Sequence, residues 1–147
     1  MKKVGSILVI VSGLLFLSLY LVYGQVDAEL VSDKTKEIHK GNFILHIRVE
    51  DVENGFQVLR SIQYMGDKPI TLKHQTPLIS VSFQNRNHDY TGSTISKTVH
   101  KGGSYHPQGP KIFKAPTEGE HALYSQSTFT AGGETITINH KDNLLFK

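Results

Sequence analysis

Histidine is the residue type in this chain with the strongest claim to chemistry: eight occur in 147 residues. His39, His46, His74, His88, His100, His106, His121 and His140 nevertheless lack the close spacing that metal coordination requires. There is no His-x-His, no His-Glu-x-x-His, and no cysteine to complete a zinc or copper set. His100 and His106 flank Lys101-Gly102-Gly103-Ser104-Tyr105 and converge if that loop folds back on itself. No metal site is assigned; His88, His100 and His106 are the candidates that a zinc- or copper-binding reading would use.

Catalytic patterns are equally sparse. No serine lies in a Gly-x-Ser-x-Gly elbow or a Ser-x-x-Lys set, although Ser93, Ser96 and Ser104 stand near histidines in the sequence. Glu50, Asp51 and Glu53 cluster where a turn is expected, as do Glu118 and Glu120, which is where solvated acids are ordinary. Gly102-Gly103 precedes no helix that would cradle a phosphate, so no nucleotide or other cofactor is expected. The chain reads as a non-enzyme. The polar, turn-rich stretch from Asn85 to Lys111 is the expected partner surface, with Arg86, Tyr90 and Tyr105 as its recognition residues, because tyrosine buries area at small entropic cost.

The elements that must position these residues begin with a leader. Lys2 and Lys3 precede Val4–Tyr23, twenty residues without a charge. As a helix this run spans roughly 30 Å, the hydrocarbon thickness of a bilayer. Val22-Tyr23-Gly24 and Val26-Asp27-Ala28 also offer small-residue cleavage sites. Residues 1–24 therefore read as a transmembrane anchor with its N-terminus inside, or as a signal peptide removed near Gly24 or Ala28. Both place the remainder outside the cytoplasm, in contact with the membrane only if the leader is retained. The absence of cysteine excludes a lipid-anchored lipoprotein and disulfide staples alike. Without the two leader lysines, 14 basic and 13 acidic residues remain, a net charge of +1, which gives no basic stripe for nucleic acid. A protein or cell-wall partner is expected instead.

Residues 25–41 mix acids and bases and read as a polar linker, with Ser32 able to cap a short helix. From Asn42 the pattern alternates with period two, as half-buried strands require. Phe43, Leu45, Ile47 and Val49 share one face. Phe56 to Met65, Ile70 to His74, Leu78 to Gln84, Thr94 to His100, Leu123 to Thr130 and Thr135 to His140 follow as strands, separated by Gly, Pro and Asn turns. Residues 42–147 thus predict an all-β, Greek-key sandwich of seven or eight strands, with a small β-barrel as the alternative.

Glu120-His121-Ala122-Leu123-Tyr124 resembles the tyrosine corner of immunoglobulin-like domains. In that resemblance Glu120, Ala122 and Tyr124 are structural, the tyrosine hydroxyl pinning a chain crossing. Gln126 stands where an antibody domain carries its second cysteine, and the partnering tryptophan is missing. The chain therefore resembles immunoglobulin-like or fibronectin-III-like sandwiches in the broad sense, and small exported envelope proteins of Gram-positive type. The expected function is a non-enzymatic binding module of the cell envelope. The alternatives are an exported metal-binding protein and a structural subunit of a surface assembly.

Overall fold

A computed structural model describes residues 28–147. The expected leader and its cleavage position at Gly24 lie outside the described residues. Nine strands run in chain order: β1 (Lys34–Lys40), β2 (Phe43–Val52), β3 (Gly55–Tyr64), β4 (Ile70–Phe83), β5 (Ile95–Val99), β6 (Ser104–Tyr105), β7 (Lys111–Lys114), β8 (Gly119–Ala131) and β9 (Glu134–Phe146). They form two antiparallel sheets. The first has the order β1-β2-β3, with β6 and β7 sharing the far edge of β3; the second has the order β5-β4-β8-β9. Among the nine strands the chain passes between sheets three times, after β3, β5 and β7. The expected sandwich is what forms, and the barrel alternative fails because each sheet keeps its own edges.

Alternation explains which faces meet. Phe43, Leu45, Ile47 and Val49 of β2 are buried, as are Phe56, Val58 and Ile62 of β3. From the second sheet Leu72, Ile79, Val81, Leu123, Phe129, Ile138 and Leu144 complete one core. Two aromatic groups anchor its ends. Phe43 lies 4.9 Å from Phe129 and 5.1 Å from Tyr64, ring centre to ring centre. Phe56 contacts Phe83, Phe113 and Phe146 at 4.8, 5.1 and 5.4 Å. With neither cysteine nor tryptophan in the chain, these rings supply the large apolar areas that join the sheets.

Three expectations need correction. First, the stretch expected as a polar linker over residues 25–41 forms an edge strand from Lys34 to Lys40. β1 pairs with β2 from Lys34↔Val49 to Lys40↔Phe43, yet only Lys34 and Ile38 are even half-buried, so it carries no apolar alternation to read. Second, the two short strands expected at Ile70–His74 and Leu78–Gln84 are one strand with a register shift between His74 and Ile79. The shift contains Pro77, which has no N–H for the ladder. Third, β9 runs on to Phe146, past the expected end at His140. Its hairpin with β8 turns on Gly132 and Gly133, whose φ values of 60° and 85° suit the primed two-residue turn.

Ahead of β1 the chain straps the open side of the sandwich. Glu29 and Val31 donate to the carbonyls of Lys147 and Leu145, at 2.9 and 3.0 Å, and so extend the second sheet. The chain then crosses to the first sheet, where Asp51 Oδ1 accepts from Leu30 N and Asp33 Oδ1 accepts from Asp51 N, both at 3.1 Å. Near this side, on the inner face of β9, His140 pairs in register with the buried Ser125.

Two predictions follow from this packing. A methyl group at Gly55 would collide with the Phe113 carbonyl, where β7 seats on β3. Gly55→Ala is expected to cost about 1–3 kcal/mol in urea unfolding and to raise amide exchange at Ile112. Burial holds His140 below the ordinary histidine value of 6.5; Asp142 opposes the shift and Lys36 adds to it. The unfolded chain therefore takes up this proton first as pH falls, and stability is lost on the acid side of 6.5. His140→Gln is expected to flatten the loss of unfolding free energy between about pH 7 and about pH 5.5.

Candidate binding groove

The outward face of the first sheet places residues in rows across three strands. Thr35, Arg48 and Leu59 form one row and Glu37, His46 and Ser61 the next. At the far edge β6 pairs with β3 only at Ile62 and Gln63, and β7 only from Gly55 to Val58. The stretch Leu59–Ser61 thus lies between two short partners, and the loop His106-Pro107-Gln108-Gly109-Pro110 spans the gap. Rows and loop together enclose a groove of about 570 Å³, within the range of ligand sites. Leu59, Pro107 and Pro110 give it apolar walls; Arg48 and Arg60 give it positive charge, and His46 and His106 add imidazoles.

Arg60 sets the position of the loop. It occupies an inward register between Val58 and Ile62, and it turns to the open side between β3 and β4. Its Nη1 donates to the carbonyls of Gly109 and Val58 at 3.1 Å, and its Nε donates to Ile79 O of the opposite sheet at 3.0 Å. Lys111 acts in parallel, its Nζ donating to Val81 O at 2.6 Å. Both carbonyls belong to the part of β4 that β5 leaves unpaired, since β5 pairs only as far as His74. Burial lowers the pKa of Arg60, and burial followed by the charge of Arg60 lowers that of Lys111. On the groove floor, Arg48 pairs with Glu50 at 2.5 Å, while His46 bonds Gln63 at 3.0 Å and faces Glu37 at 3.4 Å.

The expected recognition residues are placed apart. Tyr90 pins the loop after β4 onto the outer face of the second sheet, donating to Gln126 O at 2.8 Å. Asn87 N donates to Ser82 Oγ at 3.1 Å on the same face. Burial raises the Tyr90 pKa, opposed by a hydrogen bond with Thr128. Tyr105 faces inward from β6 and donates to Nε2 of the buried His74 at 3.0 Å, while His74 Nδ1 donates to Gln75 O at 2.7 Å. Both tyrosine hydroxyls are therefore committed within the chain. Arg86 is exposed beside His88, whose pKa is lowered by burial, then by Arg86 and Lys111.

The metal candidates do not converge either. His106 joins the groove, His88 lies on the loop after β4 and His100 is exposed in the turn after β5. Among the described residues, no three His, Cys, Asp or Glu side chains are placed to hold one ion. The expected tyrosine corner takes another form: Glu120, Ala122 and Tyr124 lie within β8, and Tyr124 sits mid-ladder between Ser82 and Lys141. Its ring centre is 5.7 Å from Lys141 Nζ. Of the residues that build the groove, Arg48, Leu59 and Arg60 were not among those singled out, whereas His106 and Gln108 belong to the expected stretch Asn85–Lys111. Arg60 did carry a signal, a charge in inward register between two apolar residues.

No family model matches the chain, and no curated protein sequence matches it. Among solved structures it is similar to the GAE domain of GGA2p from Saccharomyces cerevisiae, at 11% identity and a TM-score of 0.43, over 75% of this chain and 96% of that one.

The His74–Tyr105 pair yields a direct test. Tyr105→Phe leaves His74 Nε2 buried without its donor, so an unfolding cost of about 1–3 kcal/mol is expected. A cost near zero in urea titration would show that the bond does not hold β6 in place.

Proposed function

We propose that the β-domain is a non-enzymatic interaction module, displayed outside the cytoplasm by way of Val4–Tyr23, that receives a partner in the groove on the outer face of the first sheet. The groove itself carries this reading. It combines apolar walls with the charged side chains of Arg48 and Arg60 and the imidazoles of His46 and His106. A rigid sheet floor with one loop as its wall is a common way for a sandwich to present a binding site. Export is supported by the leader, whose two lysines and uncharged run are the features that direct a chain into a membrane.

The absence of cysteine offers a clean probe. Ser61→Cys places a thiol on the groove floor, and Asn139→Cys places one on the outer face of the second sheet. Intact cells treated with a membrane-impermeant maleimide crosslinker are expected to label both variants. A discrete crosslinked adduct is expected from Ser61→Cys alone, lost when Leu59→Asp is added. Labelling of neither variant would contradict export, and equal adducts from both would contradict the groove.

A further inference from the structure

Arg60 and Lys111 are held by carbonyls two residues apart on one strand edge, Ile79 O and Val81 O. Such carbonyls point the same way and lie roughly 6–7 Å apart. An oxyanion accepting at about 2.8 Å from each cation bridges that gap. The neighbouring polar atoms are left without partners: both amide atoms of Gln108 and Nδ1 of His88 are buried and unbonded. Gln108 adjoins Gly109, which Arg60 grips, and His88 follows Asn87, which is bonded to Ser82 beside Val81. Buried polar groups are normally satisfied, and a ligand with acceptors and donors at this spot would satisfy these atoms.

We propose that Arg60 and Lys111, with Gln108 and His88 near them, form an oxyanion-binding subsite at the edge of the groove that takes a phosphate group. Among the described residues, Arg60, Arg86 and Lys111 have no carboxylate partner, whereas Lys34, Arg48 and Lys101 each do. Burial lowers the pKa of both His88 and Lys111; Arg86 and Lys111 lower that of His88 further, and Arg60 that of Lys111, with no acid opposing either. Carbonyl bonding orients the two cations without neutralising them, so their charge remains available to an anion. The Gln108 amide donates to the same ligand and rotates to suit it.

This subsite rests on the reading of the groove as a binding site, and one titration tests it separately. The full chain, purified in mild detergent, is titrated at fixed ionic strength with inorganic phosphate, while the Gly109 backbone amide is followed by NMR. A saturable shift is expected. Lys111→Gln should weaken it by about tenfold, and Gln108→Glu, which sets a carboxylate against Arg60, should abolish it without lowering the melting temperature. Lys73→Gln, on an exposed part of β4, should titrate as the parent. Dimethyl phosphate in a second arm separates the sources: binding of both assigns the site to a phosphodiester chain, and binding of phosphate alone assigns it to a free or terminal phosphate. No saturable shift, or equal weakening by Lys73→Gln, overturns the subsite. Phosphate binding without a Ser61→Cys adduct removes only the partner reading, and an adduct without phosphate binding removes only the subsite.

Discussion

One guanidinium joins three segments of this sandwich. Arg60 leaves β3, reaches the unpaired edge of β4 in the opposite sheet and holds the Gly109 carbonyl of the groove loop. A hydrogen bond from a charged donor contributes about 1.5–3 kcal/mol, while losing a core phenylalanine costs about 3–5 kcal/mol. The apolar faces around Phe56 and Phe129 therefore hold the sheets together. The polar contacts of Arg60 decide something narrower, the spacing of one open side and the position of the loop above it. A buried arginine without those carbonyls would be costly, which ties the loop conformation to the sheet edge.

The two open sides of the sandwich are closed by different chemistry. On one, cations from the first sheet cap carbonyls of the second. On the other, backbone from Ala28 to Val31 pairs with the end of β9 and then crosses over, its turn held by Asp33 and Asp51. Backbone pairing uses donors and acceptors in equal number and leaves no net charge. Cationic capping uses acceptors only and leaves positive charge behind. The groove, the unpaired Gln108 and His88 atoms and the free cations all lie on the cation-capped side. The asymmetry between a backbone-paired seam and a cation-capped seam is thus the physical basis for placing recognition at one side of the domain.

Strands with an apolar face were legible in the sequence, because alternation reports burial on one side of a sheet. The Phe43–Val49 and Phe56–Met65 runs appear as β2 and β3 for that reason. β1 was not legible: this mostly exposed edge strand puts only Ile38 against the core, so Lys34–Lys40 reads like any polar connector. β6 and β7 are too short to show a period. The candidate site was less legible still. Tyr90 and Tyr105 were expected at a recognition surface on account of residue type, but each found a backbone carbonyl or a histidine within the chain. The groove arises from a gap between two short strands at one edge, a feature of pairing that composition does not record. Only Arg60 interrupted the pattern in a way that pointed to it.

The central claim is that Arg60 couples the seam between the sheets to the shape of the groove. Hydrogen exchange at the backbone amides of Gln108 and Gly109 in Arg60→Met, compared with the parent chain, tests it most directly. The account predicts faster exchange at these two amides while those of β8 and β9 stay protected, since the apolar core is untouched. Unchanged exchange at Gln108 and Gly109 in a folded variant would contradict it.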